Sequence, residues 1–224
     1  MSNSQASSVA RRGFLFRLTQ GIAGLAGLAV VPKELAAEPL AAPSDADAWI
    51  ERMKGQHRVM LHVHQHFITS LLDARNMLNN ARDLYGVPEA QYDVAVLTHG
   101  PAIQGLLTNE LWQQLALGDY YKVTDKATGA PAVRNAFLTP IDGEPADATV
   151  PELMKRGVTF VVCNVAVRNT ARRIAAKNAG DPDAIYRQLA AGLVPGTFLV
   201  PDLFVSMQRA QKRGVGYLFT DRAH

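Results

Sequence analysis

"PELMKRGVTFVVCNVAVRNTARRIAAKNAG", residues 151–180, decides the fold class. Pro151 suits the first turn of a helix, where its missing N–H would have had no partner anyway. "VTFVVCNVAV" (158–167) is dense in β-branched residues and is predicted to be a strand. "NTARRIAAKNAG" returns to helical composition. Helix, strand and helix in immediate succession are the unit of an α/β protein.

The same rhythm extends in both directions. "HRVMLHVHQ" (57–65) reads as a strand, with Val59, Leu61 and Val63 alternating against Met60, His62 and His64. "FITSLLDARNMLNNARDLYG" (67–86) reads as a helix with Ile68, Leu71, Leu72, Met77, Leu78, Ala81 and Leu84 on one face and Gly86 as its stop. "QYDVAVLTHG" (91–100) is a buried strand, and "PAIQGLLT" a short helix after it. Further on, "TFLVP" (197–201) is a strand, "DLFVSMQRAQKRG" a helix capped by Asp202, and "VGYLFT" (215–220) a final strand. Alternation of this kind predicts a mostly parallel sheet with helices on both faces, three layers in all. Residues 108–150 break the rhythm and are too long for a plain connection. They are expected to form an elaboration with its own helix and a hairpin, whose Trp112, Tyr120 and Tyr121 cover either the site or an oligomer contact.

The beginning of the chain has a different character. "ARRGFLFRLTQGIAGLAGLAVVP" pairs Arg11 and Arg12 ahead of a Gly/Ala-rich apolar stretch, the pattern of a twin-arginine export signal. Residues 1–37 are therefore expected to be a cleaved signal peptide, residues 38–56 a linker with a short helix, and residues 57–220 a single domain. The expected location is the periplasm, with no stable membrane insertion after cleavage. Of the 23 basic and 20 acidic residues, four and one lie in residues 1–37, so the remainder holds nineteen of each. The basic pI thus belongs to the signal and gives no reason to expect nucleic-acid binding. One cysteine, Cys163, excludes an intrachain disulfide.

Ligands of an open parallel sheet bind beyond the carboxyl ends of its strands. That rule gathers His62, His64 and His66 at the end of the first strand, His99 and Gly100 at the second, and Cys163 and Asn164 at the third. Alternate residues of a strand share a face, but about 6–7 Å apart. His62, His64 and His66 are therefore only weak candidates for a metal site, although imidazole suits zinc, copper or iron. His99 either acts in a site or holds the turn that Gly100 permits. Cys163 is either a small buried hydrophobe or a reactive thiol, favoured as thiolate by a helix N-terminus and by Arg168, Arg172 and Arg173. No G-x-G-x-x-G follows a strand, so no nucleotide cofactor is expected; no G-x-S-x-G marks a serine hydrolase.

Taken together, "RVMLHVHQ", "LLDARNMLNNARDLYG", "YDVAVLTHGPAIQGLL", "PELMKRGVTFVVCNVAVRN" and "LVPGTFLVPDLFVSMQRAQKRGVGYLF" resemble the DsrE/DsrF-like proteins over roughly residues 57–107 and 151–220. The resemblance implies a flavodoxin-like three-layer fold that assembles as trimers or hexamers. It also implies a sulfur relay, in which Cys163 would carry sulfane sulfur as a persulfide between donor and acceptor proteins. His99 falls in the family's His-Gly step and His62 in its first strand. Catalytic roles are then expected for Cys163, His99, His62 and His64, and ligand contacts for Asn164, Arg168 and Gly100. Two other readings stand beside this one. One is a non-enzymatic binding protein that uses the histidine edge for a metal or small anion. The other is an interaction domain whose cysteine is inert.

Overall fold

The computed structural model describes residues 46–222; the expected signal peptide and the first part of the linker lie outside the described residues. Among the described residues five strands form: β1 (His57–Val63), β2 (Tyr92–Thr98), β3 (Thr159–Cys163), β4 (Phe198–Val200) and β5 (Gly216–Phe219). The α-helices are α1 (Ala48–Arg52), α2 (Phe67–Tyr85), α3 (Asn109–Gln114), α4 (Leu117–Tyr121), α5 (Val150–Lys155), α6 (Asn164–Asn178), α7 (Pro182–Ala191) and α8 (Leu203–Lys212). The strands pair in the order β4-β3-β2-β1-β5, every pair parallel. The chain is therefore a three-layer α/β protein of flavodoxin-like type, as its alternation predicts. Among the described residues, no helix is long and apolar enough to cross a membrane.

The composition of each strand matches its place. β3 is buried throughout and β2 over its last five residues, and a parallel sheet covered on both faces reads as an unbroken apolar run. β5 lies at the edge with all four residues exposed. The connections from β1 to β4 all step in one direction, whereas β4 to β5 crosses back over the sheet. Right-handed crossovers then put α8 on the face opposite the earlier helices. α1 joins α8 there: Trp49 Nε1 donates to Ser206 Oγ at 2.8 Å. Buried Asp47 clamps the same pair, accepting from Arg209 Nε at 2.7 Å, from Arg209 Nη2, and from Arg213 Nη2 at 2.7 Å. The Arg209 hydrogen bond leads in holding the Asp47 carboxyl below its ordinary pKa.

Several element boundaries differ from expectation. β1 stops at Val63, so His64 lies just past its end. β3 stops at Cys163, and the valines expected to prolong it start α6 instead. The helical path buries Val167, Ala171 and Ile174 on one stripe against the core, a gain that overrides the β preference of valine. The short helix expected after β2 is a 3-10 helix, Gly100–Leu106. Helix α7 was not anticipated, although Asp181 caps it by accepting from Asp183 N and Pro182 opens it.

The 108–150 elaboration holds α3, α4, an isolated bridge between Thr124 and Pro131, and a 3-10 turn at Ala136–Leu138. The bridge stands where a hairpin was expected. Leu111, Trp112 and Leu117 bury the elaboration against the core. Buried Asn135 staples it to the 3-10 segment, its amide donating to the carbonyls of Gln104 (3.3 Å), Gly105 (2.9 Å) and Leu107 (2.7 Å).

Candidate functional site

The register of the sheet assembles the site. Val63 pairs with Thr98, and Thr98 with Val162. One residue further, His64, His99 and Cys163 form a single row across three adjacent strands, which lie about 4.8 Å apart. All three line one cavity of about 860 Å³ beyond the carboxyl ends of the strands. The stacked rings of His64 and His99, with centroids 4.5 Å apart, confirm the first contact of the row. Cys163 keeps only 4% of its surface exposed and occupies the N-cap position of α6, where the unpaired N–H groups of a first helical turn converge.

His62 lies one step behind this row, buried to 5% exposure. Its Nε2 is 2.9 Å from His99 Nδ1, and its Nδ1 is 3.0 Å from the Tyr217 hydroxyl. Burial, then the neighbouring His99, pushes the His62 pKa down to about 4. Burial, then His64, lowers that of His99 as well. Both rings are thus neutral at pH 7, and a neutral imidazole donates from one nitrogen while accepting at the other. The chain Tyr217–His62–His99 then has two consistent proton arrangements. In one, Tyr217 donates to His62, His62 donates to His99 Nδ1, and His99 Nε2 carries a proton. In the other, every bond reverses and His99 Nε2 is a bare base. The relay can therefore offer the cavity either a base or an acid without a net charge.

Gly100 is fixed by geometry. Its φ is +57°, and a Cβ there would stand 2.1 Å from the His64 ring. It borders the cavity as the residue that lets His64 fold over it, while Ala102 N donates to the His64 carbonyl at 2.8 Å.

The remaining sequence candidates fall outside the cavity. His66 is the N-cap residue of α2, and its backbone N–H donates to Asp221 at 2.7 Å. Asn164 is buried at the start of α6, its Oδ1 without a partner. The Arg168 guanidinium lies over the Tyr186 ring, 4.1 Å from its centroid. Ala166, Asn169, Thr170, Arg173 and Lys177 form the cavity face of α6, and Arg168 is about half a turn away from it. Among the described residues, no group of three or more His, Cys, Asp or Glu side chains is arranged to hold a metal ion. Near-parallel rings of His64 over His99, and a His62 with both nitrogens engaged, do not aim lone pairs at a common point.

The second side of the cavity combines Tyr120 and Tyr121, offered from the sequence as a cover for the site, and Arg173, named there as favouring the thiolate, with residues that sequence reading did not assign to a site. α4 and its C-cap contribute Tyr120, Tyr121 and Lys122; α6 contributes Arg173 and Lys177; the 3-10 segment contributes Gln104; and the start of α8 contributes Phe204. The Phe204 ring meets the edge of His99 with centroids 5.2 Å apart. Tyr217, the outer member of the relay, was missed as well. Its relation to His62 depends on β5 pairing beside β1, which no local signal reveals.

No protein-family model matches the chain, and no curated protein matches it. Among solved structures, a protein of unknown function from Methanobacterium thermoautotrophicum is similar, at 19% identity and a TM-score of 0.38 over 73% of this chain and 98% of that one.

Proposed function

We propose that this chain is an exported sulfur-handling protein in which Cys163 carries sulfane sulfur as a persulfide. The observation that carries the reading is the row His64–His99–Cys163, which brings the single thiol of the chain and a relay-bonded imidazole to the lining of one cavity. The resemblance of "VLTHGP" and "LMKRGVTFVVCN" to DsrE/DsrF-like proteins supports the same chemistry, and with it a periplasmic homo-oligomer.

In the proposed step His99 Nε2 takes the proton of the Cys163 thiol. The thiolate attacks the outer sulfur of a donor R–S–SH. The Sγ–S bond forms, the donor S–S bond breaks, and the electron pair leaves on R–S⁻, which recovers the proton from His99. The products are Cys163–S–SH and R–SH, with no net oxidation. The attack of a second thiol on the outer sulfur returns the cysteine and passes the sulfur on.

Intact-mass measurement after incubation with polysulfide tests the reading. The expected result is a gain of one sulfur atom on the wild type and none on Cys163→Ser; no adduct, or equal adducts on both, refutes it. The burial of Cys163 favours one rival, inert packing, which requires that native protein resist thiol reagents until it unfolds. Rapid labelling of the folded protein at Cys163 removes that rival.

A further inference from the structure

We infer that the basic side of the cavity is a seat for the anionic groups of a small organic sulfur donor, so that the protein takes its sulfur from a negatively charged low-molecular-weight persulfide. The inference rests on the sulfur-handling reading and adds the substrate class.

Three cations, Lys122, Arg173 and Lys177, line the same cavity as Cys163. Lys122 and Lys177 share one carboxylate, Asp119, at 3.0 and 2.5 Å, so their pairing leaves an excess of positive charge. Asp202, the carboxylate among the lining residues, is committed to capping α8 through Val205 N. One further group lacks a partner. Gln104 Oε1 is buried on a residue that lines the cavity and has no hydrogen-bond partner, whereas the buried Tyr121 hydroxyl lies beside Thr170. A buried unpaired polar atom is costly unless a ligand or water satisfies it. The backbone also holds this wall under constraint: Ala116 and Lys122, on either side of α4, both have positive φ, at 47° and 59°. Non-glycine residues adopt that region at a cost and do so mostly at functional positions.

Size selects among anions. The cavity, about 860 Å³, lies at the upper end of the range for clefts that hold organic ligands. An inorganic thiosulfate at Cys163 would leave the cationic wall facing water. An organic persulfide places its transferable sulfur at Cys163 and its carboxylates at Lys122, Lys177 and Arg173. The transfer is the exchange written above, with the electron pair leaving on the thiolate of the organic donor.

The test compares loading of Cys163 by glutathione persulfide, by its diethyl ester and by thiosulfate, followed by intact mass. The acid is expected to load about tenfold faster than the ester. Lys122→Met, Lys177→Met and Arg173→Met should each drive the ratio toward one, and Lys122→Arg should restore it. Asp119→Asn should raise the rate with the acid, a direction that general damage to the fold would not produce. Equal rates for acid and ester overturn this inference while leaving the sulfur chemistry intact. Faster loading by thiosulfate than by the acid overturns it in favour of an inorganic donor. No loading by any donor overturns the functional reading itself.

Discussion

The two sides of the cavity are built by different physics. The side that carries His64, His99 and Cys163 is delivered by adjacent strands whose positions are set by a ladder of backbone hydrogen bonds and a buried apolar core. Burial lowers the pKa of His99 on this side and of His62 behind it. The side that carries Tyr120, Tyr121 and Lys122 is an insertion between strands, with charged and half-exposed groups and a backbone held at positive φ. Binding and catalytic residues on a rigid scaffold can be placed to tight tolerance, whereas insertions tolerate change and supply selectivity. The division we propose is chemistry on the strands and recognition on the insertion.

The sharpest way to break that division is His99→Ala. It should slow persulfide loading by about a hundredfold with charged and neutral donors alike. A loss confined to one donor would show that the strands also recognise. Next comes Gly118→Ala in α4. A Cβ there would meet Ala132 backbone at 2.1 Å from the oxygen and 2.5 Å from the nitrogen, so the insertion must shift as a unit. Urea unfolding should record a loss of about 2 kcal/mol. Gly100→Ala on the strand side should cost less, about 1 kcal/mol, because the atom in its way is a histidine ring that can swing aside. The ring movement should nevertheless break the His64–His99 stack and shift the ring signals of both residues in an NMR spectrum. Tyr217→Phe removes only the outermost bond of the relay, and loading should fall about threefold.

The response to acid is the most gradual effect. His62 titrates near 4 in the fold and at its ordinary value of 6.5 when unfolded, so below 6.5 the unfolded chain binds more protons. Stability is therefore full above pH 6.5 and declines as pH falls toward 4, with His99 contributing in the same direction. Asp47, Glu89, Asp119 and Asp147, whose pKa values are lowered by their cationic partners, lose their contribution at more acidic pH, as it falls through their unfolded values of 3.8 for the aspartates and 4.5 for Glu89. Urea titrations at pH 7 and pH 5 should differ for the wild type and differ less for His62→Gln. Equal slopes in the two proteins would mean that the relay does not titrate in this range.

The strand side was legible because each of its residues ends a strand, and strand ends can be read from apolar runs. Residues 57–65, 91–100 and 158–167 each held a real strand and an end displaced by a few residues. The displacement at β3 had a consequence. With α6 read as starting at Asn169, Arg168 was expected to contact a ligand. With α6 starting at Asn164, helical phase turns Arg168 onto Tyr186 and brings Arg173 to the cavity. The insertion side was legible only in part: Tyr120 and Tyr121 were offered as covering the site or an oligomer contact, but where Tyr121 and Lys122 end up depends on the Asn135 staple and on burial of Leu111 and Trp112. Those contacts link positions far apart in the chain, and no periodicity records them.

Strand β1 pairs with β5 through Val59–Gly216 to His62–Phe219, the first strand of the sheet against the fifth. During synthesis the ribosome releases β1 long before β5, so His62 emerges some 155 residues ahead of the tyrosine that completes its hydrogen bonds. Loop closure of that span is slow compared with local pairing. A nascent or truncated chain can align β1, β2 and β3, and with them the cysteine row, while His62 still lacks Tyr217. The relay is therefore completed late in folding: His62 gains Tyr217 only after the chain through residue 217 has been made.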